Sequence, residues 1–467
     1  MNIALSLTQS HHEQLRTHLF PDDGLEAIAF ALCGRRQGVD SHGLLVHEVL
    51  PIPYEFCERG PDYIRWRTEK IPEILDRATI KDFSVVKIHS HPNGFDTFSR
   101  VDDRSDKDFF AYARDWTDNM ALHASVIMFR DGSMKGRTLS DDNDFQPIAC
   151  IKFVGDDLKF WFSRKKLTHL DEYGIRVAQA FGQGTYQLLK ALKIGVVGCS
   201  GTGSLVVEQL ARNCVGNLVL VDPERIEIKN LNRIPQATMA DALNKEYKAN
   251  VLARSVDEMR FGTQVRTIAD DLYSFHAVKA LSECDVLFGC MDGIDGRHLL
   301  NKLSTAYLIP YFDIGVKLAA DGAGGIDQIC GSVHYLQPGG SSLLSRGVYT
   351  HEQLRAASMK RADPIAYKEQ LKAGYIEGVD EEKPAVISVN MLFASLGVNE
   401  LLARIHPFRD DPNSAFSVNR IGLHAGTFFN EPDGQPCATL NKWVGRGDII
   451  PLLGMPSLSS EEDRMNH

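Results

Sequence analysis

The sequence predicts an α/β protein built from two unlike halves, and three observations carry that reading. A β-rich run, Phe83-Ser84-Val85-Val86-Lys87-Ile88, leads straight into His89-Ser90-His91-Pro92. Lys193 to Ser204 reads as a short apolar strand, a glycine-rich turn and the opening of a helix. Residues 166–405 then alternate short apolar strands with helical segments, the pattern of a mainly parallel sheet with helices on both faces. At 467 residues, 43% hydrophobic, the chain can hold two or three domains.

Charge and cysteine usage narrow the setting. A net charge of -10 argues against nucleic acid as the main partner. The nine scattered cysteines fit reduced thiols rather than a disulfide framework. The N-terminus lacks a basic region before an apolar core, and no apolar stretch reaches membrane-spanning length. The expectation is a soluble, cytoplasmic protein with no membrane partner.

The first chemistry lies at His89 and His91. Two imidazoles one residue apart on a strand point to the same face, because side chains alternate with period 2. They can therefore grip one ion together, with Asp102 as third ligand. Three protein ligands leave the fourth tetrahedral position of zinc to water, whose pKa the metal lowers to about 7. An isolated His-x-His is as often a structural pair near a turn. Here, however, the pair is followed by the loop signal Pro92-Asn93-Gly94 and then by Ser99 and Asp102.

This arrangement, His-x-His, seven residues, Ser-x-x-Asp, resembles the signature of the JAMM (JAB/MPN+) zinc metalloproteases. The resemblance implies a JAB/MPN-type α/β metalloprotease domain with His89, His91 and Asp102 as zinc ligands. It implies that Ser99 hydrogen-bonds the substrate carbonyl oxygen as charge develops, and that an upstream Glu is the general base. Glu26 is the candidate, since it opens the apolar run Glu26 to Gly34 that resembles the family's first core strand; Glu48 is the fallback.

The second chemistry begins at Lys193. In Gly198-Cys199-Ser200-Gly201-Thr202-Gly203 the glycines let backbone approach a ligand closely, and the following helix N-terminus favours phosphate. A second strand, Asn217 to Asp222, ends in an acid placed for ribose hydroxyls. A nicotinamide dehydrogenase would compete on these features, but the spacing is Gly-x-x-Gly-x-Gly and not Gly-x-Gly-x-x-Gly. The residues that follow, Asn230-Leu231-Asn232-Arg233, Lys248 on a helix and Asp292 after the strand Asp285 to Cys290, suit a different task. They could neutralise a triphosphate, hold magnesium and stabilise attack on the α-phosphorus.

From about residue 170 to 405 the chain resembles the ThiF-like, ubiquitin-activating-type adenylyltransferases, which have a Rossmann-like fold. The resemblance makes Gly198, Gly201 and Gly203 the nucleotide loop and places Asp222 on the ribose. Asn230, Arg233 and Lys248 would contact the phosphates of ATP, and Asp292 would bind magnesium. Arg297 stands where the family has an arginine, although Gly293 replaces the usual Asn before it. Arg176 resembles the arginine that family dimers insert into the neighbouring ATP site, with a solvated helix charge as the alternative; a homodimer is implied.

Many relatives carry two Cys-x-x-Cys pairs for a structural zinc, but serines fill Pro338 to Ser345 here and no Cys-x-x-Cys occurs. The stretch from Arg346 to Lys383, where a transfer cysteine would be sought, has none. Cys437, in the Pro- and Gly-rich run Pro432 to Ala438, is expected to be exposed and is the candidate thioester cysteine. Cys330 is expected to be buried packing before a strand.

The expected organisation is a metalloprotease-like domain at 1–165, a basic joint at Ser163 to Lys166, an adenylyltransferase domain at 166–405 and an extension at 406–467. The stretch Val379 to Pro384 precedes a closing helix, and the acidic end Ser459 to Asp463 is expected to be disordered. The implied function is bifunctional: ATP- and magnesium-dependent adenylation of the terminal glycine of a ubiquitin-like protein, with zinc-dependent processing or removal of that modifier. The fusion resembles bacterial systems encoded beside a conjugating enzyme, a further implied partner. The alternatives are a sulfur-carrier pathway and a non-enzymatic scaffold.

Overall fold

The computed structural model describes residues 2–38, 41–117, 122–140, 143–163, 169–321, 323–373 and 385–458. The expected joint at Arg164 to Lys166, the stretch 379–384 and the acidic end 459–463 lie outside the described residues. The chain divides into two compact units. The first comprises residues 1–165 with 306–308 and 443–450, and the second comprises the remainder.

The first unit runs β1 (Asn2–Thr8), α1 (Gln9–Leu19), β2 (Ile28–Gln37), β3 (Ser41–Pro51), β4 (Cys57–Arg59), β5 (Ile64–Trp66), α2 (Ile71–Lys81), β6 (Ser84–His91) and α3 (Arg100–Thr117). It continues through β7 (Ala124–Phe129), β8 (Met134–Leu139), β9 (Phe145–Pro147), β10 (Cys150–Val154) and β11 (Leu158–Phe162). Nine strands form one mixed sheet in the order β11-β10-β1-β3-β2-β6-β7-β8-β9. Strand β2 is buried on both faces and divides its side chains by size. Ala29, Ala31 and Cys33 pack in the cluster that holds Leu15 and Leu19 of α1. Ile28, Phe30 and Leu32 pack with α2 and α3 through Leu75, Ala78, Phe109 and Phe110. Period-2 alternation thus lets a wholly apolar run serve two helical layers.

The second unit runs α4 (Ile175–Ala191), β12 (Lys193–Val197), α5 (Gly201–Arg212), β13 (Asn217–Val221), α6 (Met239–Leu243), α7 (Lys248–Glu258), β14 (Gln264–Ile268), α8 (Phe275–Ser282), β15 (Val286–Gly289) and α9 (Ile294–Tyr307). It ends with β16 (Tyr311–Ala320), β17 (Ile326–Leu336), α10 (His351–Ala362), α11 (Pro364–Lys372), α12 (Ile387–Ile405), β18 (Val418–Gly422) and β19 (Thr427–Glu431). The sheet order is β14-β13-β12-β15-β16-β17-β18-β19. Pairing is parallel from β14 to β16 and antiparallel from there to β19. Strand order reverses between β12 and β15, and such a switch point opens a crevice beyond the strands' carboxyl ends.

The stretch after residue 405 differs from the expected separate extension. Strands β18 and β19 complete the second sheet, with Val418–Gly422 pairing antiparallel to both β17 and β19. Residues 443–450 belong to the first unit, where the His47 ring meets the Val444 carbonyl at 2.6 Å and Asp448 accepts from the Gln37 N–H at 2.6 Å.

Two candidate active sites

In the first unit, His89 and His91 close β6 and Asp102 sits in the first turn of α3. Their ligand atoms all lie within 4.8 Å of one another. His89 Nε2 is 3.1 Å from His91 Nε2 and 3.4 Å from Asp102 Oδ1. Bonds of about 2.0–2.1 Å in a tetrahedron put ligand atoms roughly 3.3 Å apart, so the donor set fits zinc. His91 Nδ1 donates to the Phe95 carbonyl oxygen at 2.6 Å, which leaves Nε2 as the free ligand nitrogen. Burial holds His89 down to about 3, so the ring is neutral as a ligand must be.

Ser99 caps α3. Its N–H and hydroxyl each donate to Asp102 Oδ2 at 2.8 Å, and the Asp102 N–H returns a bond to Ser99 Oγ at 3.1 Å. Asp102 therefore leaves Oδ1 facing His89, and the Ser99 hydroxyl proton is directed to Asp102. Glu26 lies two residues ahead of Ile28, which pairs with His89, so the antiparallel register sets it opposite His91. Its backbone is pinned by Gly60 O at 2.8 Å and by Arg59 Nε at 2.8 Å. Burial, then the Asp102 charge, raises the Glu26 carboxyl to about 8. The fallback, Glu48, is ion-paired with Arg77.

A buried charge cluster that sequence reasoning missed supports this site. Lys87, on the same face of β6 as His89, pairs with Asp106 of α3. Arg137 of β8 holds both Asp103 and Asp106, and its guanidinium lies 3.7 Å from the ring centroids of Phe98 and Phe145. These contacts fix the helix that carries Asp102 to the strand that carries the histidines. The available signal was a lysine in a β-rich run.

In the second unit the glycine loop joins β12 to α5 at the switch point. Gly198 has φ +91°, and a Cβ on Gly203 would lie 1.7 Å from the Gly198 carbonyl oxygen. The loop closes this tightly only with glycine. Asp222 at the end of β13 accepts from the Cys199 N–H at 2.6 Å and the Glu224 N–H at 2.8 Å, so its carboxylate braces the loop. Burial raises its pKa.

A cavity of about 100 Å³ opens beside this loop, lined by Ser200, Gly201, Thr202, Arg233, Cys290 and Asp292 among others. Asp292 makes no hydrogen bond or ion pair among the described residues. The Arg233 guanidinium donates only to the Lys229 carbonyl at 3.0 Å and Asn232 Oδ1 at 3.3 Å, with no carboxylate partner among those residues. An uncompensated cation and an uncompensated anion thus share one crevice. That fits a nucleotide with its magnesium ion.

Other expected residues stand apart from this cavity. Asn230 is buried and accepts from the Glu227 N–H at 2.9 Å. Lys248, 3% exposed, is ion-paired with Glu224. Arg297 is held by Asp313, Nε to Oδ1 at 2.9 Å with a second bond from Nη2. Arg176 bonds Gln179 at 3.0 Å on an exposed face of α4.

Both cysteine expectations change. Cys437 is 4% exposed, because Asp433 bonds Ser341 and Arg346 and folds the loop down, and the Cys437 N–H donates to the Gly340 carbonyl at 2.9 Å. Cys437 lines a second cavity of about 290 Å³ with Arg346 and Glu431. Cys330 lies within β17 and is half-buried. Sequence reasoning also missed Asn390 and the apolar wall of Ile314, Val316 and Leu318, which line the first cavity.

A parallel nucleotide-type sheet with a glycine loop, an arginine and an acid at its switch point, preceded by a His-His-Asp centre, defines a two-site α/β protein. Residues 173–422 match the ThiF family and residues 8–137 match the prokaryotic homologues of the JAB domain. The chain belongs to the ThiF family and carries a JAB-like domain at its N-terminus. Among curated relatives, ubiquitin-like modifier-activating enzyme 5 of Aedes aegypti is 21% identical over 46% of this chain and 56% of that enzyme. SUMO-activating enzyme subunit 2 of Dictyostelium discoideum is 28% identical over 30% of this chain and 21% of that subunit. The chain thus spans little more than half of the mosquito enzyme. A solved structure of Escherichia coli MccB with ATP aligns at a TM-score of 0.42 and 18% identity, over 57% of this chain and 73% of that one. Among the described residues no helix is long and apolar enough to cross a membrane.

Proposed function

We propose that the chain is a bifunctional enzyme of a ubiquitin-like modifier pathway. In this reading the second unit adenylates the terminal glycine of a ubiquitin-like protein with ATP and magnesium, and the first processes or removes that modifier with zinc. The carrying observation is the shared crevice of Arg233 and Asp292 beside the Gly198 loop. The names of the relatives, both activating enzymes, support the same class.

In the adenylation step the α5 N-terminus and Arg233 meet the phosphates, and Lys248 joins them by exchanging Glu224 for phosphate. Asp292 would hold the magnesium ion that neutralises the phosphates. Arg176 of a second copy would complete the site in a homodimer, and Arg297 braces β16 through Asp313. In the hydrolytic step Glu26, whose carboxylate form a neighbouring zinc charge would favour, takes the proton of the attacking water and delivers it to the leaving amine. Zinc, held by His89, His91 and Asp102, supplies Lewis acidity and acidifies the water. Ser99 turns its hydroxyl from Asp102 to the substrate carbonyl.

Transfer to Cys437 would give a thioester for a conjugating enzyme, and requires the loop 432–438 to open. The burial of Cys437 favours a second reading, in which the adenylate passes directly to an external thiol, as a sulfur-carrier pathway would need. ATP–pyrophosphate exchange tests the proposal. The expected result is exchange that needs magnesium and a carrier with a free C-terminus and falls at least about 100-fold in Arg233→Ala. Exchange undiminished in that variant would refute the site. Cys437→Ala separates the two readings: loss of a reductant-sensitive carrier adduct supports the thioester, and undiminished transfer supports the second.

A further inference from the structure

Asn390 lies in the first turn of α12, 4% exposed, and lines the cavity with Val386 and Val389. These three are spaced i, i+3 and i+4, one face of a helix. Its carboxamide makes no hydrogen bond among the described residues and is open to the cavity, so its donor is free for a ligand. It sits hard against the glycine loop. A Cβ on Gly201 would come within 2.2 Å of Asn390 Nδ2 and 3.0 Å of Arg233 Cδ. The amide therefore occupies the space that a side chain at the start of α5 would fill.

The cavity lining combines two chemistries. The loop side offers the α5 N-terminus and the Arg233 cation, which suit phosphate. The rest of its lining is largely apolar: Ile314, Val316 and Leu318, alternate residues on one face of β16, with Val386 and Val389 at the start of α12. Asn390 stands at the junction as a neutral donor. A neutral donor suits an oxygen of partial charge, and the acyl oxygen of a mixed anhydride lies where a phosphate meets an organic chain.

Resting on the adenylation reading above, we infer that Asn390 binds the acyl oxygen of the carboxylate substrate and of its adenylate. One carboxylate oxygen forms the bond to the α-phosphorus, and pyrophosphate leaves with the electron pair of the broken P–O bond. Asn390 donates to the other oxygen, which becomes the acyl carbonyl. Asn390 thereby selects a carboxylate whose chain runs into the apolar lane.

The test is calorimetric titration of the full chain with two probes: 5′-O-sulfamoyladenosine, which lacks the acyl group, and its N-acetylglycyl derivative, which mimics a glycyl adenylate. The wild type is expected to prefer the acylated probe. Asn390→Ala, and the isosteric Asn390→Leu, should weaken the acylated probe about tenfold, the worth of one hydrogen bond, with the unacylated probe held within about twofold. Equal weakening of both probes, or an unchanged acyl preference in whichever variant keeps the wild-type melting temperature, overturns the inference. Failure of both probes to bind the wild type overturns the adenylation reading itself, and the inference with it.

Discussion

Asp102 divides its two carboxylate oxygens between a helix cap and the face it shares with His89, and that division decides what neighbouring substitutions should do. Oδ2 receives the Ser99 bonds while Oδ1 faces His89. Asp102→Ala should therefore lose zinc. Glu26→Gln should retain it, since Glu26 is outside the ligand set, and yet lose peptide cleavage by about 10²–10⁴-fold, the usual worth of a general base. Zinc content by elemental analysis beside a cleavage assay separates the two, and zinc loss in Glu26→Gln would remove that residue from its role. Arg137 carries a different burden. Removing it leaves Asp106, which has no exposed surface, paired with Lys87 alone. Breaking a buried ion pair of this kind costs about 3–5 kcal/mol. Arg137→Ala should lower the denaturation midpoint of the first unit and weaken its zinc affinity, while Arg137→Lys should restore part of the affinity. Unchanged zinc affinity in a folded Arg137→Ala would show that the cluster does not position α3.

Elements were legible in the sequence wherever one signal dominated. The β-rich run into His89 formed β6, the strand, glycine turn and helix from Lys193 formed β12 and α5, and the closing helix formed α12. Motif spacing placed His89, His91, Asp102 and Ser99 together because the ligands come from one strand and the next helix. What the sequence did not carry were contacts made across the fold. Asn390 reaches Gly201 through helix packing, Arg137 reaches Asp106 from another strand, and Asp433 folds the Cys437 loop down through Arg346. A local reading of Pro432 to Cys437 saw only turn residues, which are equally compatible with a loop that packs. The glycine loop allows a test at this scale. Gly203→Ala would set a Cβ against the Gly198 carbonyl, so the loop must deform. Nucleotide affinity by calorimetry should fall at least about tenfold with zinc binding unchanged. Wild-type affinity in this variant would mean that the loop's closure is not needed for the nucleotide.

At the scale of the whole molecule, buried histidines set an acid limit on stability. Burial lowers His11 and His123 of the first unit to about 4, and lowers His12, His18 and His47 in the same direction. His123 Nδ1 accepts the Val85 N–H at 3.1 Å, a bond that protonation would break. Each of these rings binds protons more weakly folded than unfolded, so the stabilisation is fully present above the unfolded value of about 6.5. It is lost as pH falls from there toward 4, with His123 accounting for roughly 3 kcal/mol. Denaturant titrations of the zinc-free protein at pH 7 and pH 5 should show a clear loss at the lower pH. Equal midpoints would contradict the assignment.

The central claim is that two separate chemistries share one chain. Its most direct test is a crossed comparison of Asp292→Ala and Asp102→Ala, each assayed for ATP–pyrophosphate exchange and for zinc-dependent cleavage of a carrier extended beyond its terminal glycine. Asp292→Ala is predicted to lose exchange at least about 100-fold and keep cleavage, while Asp102→Ala loses cleavage and keeps exchange. Both activities surviving in both variants, or both failing together in folded protein, would contradict the account.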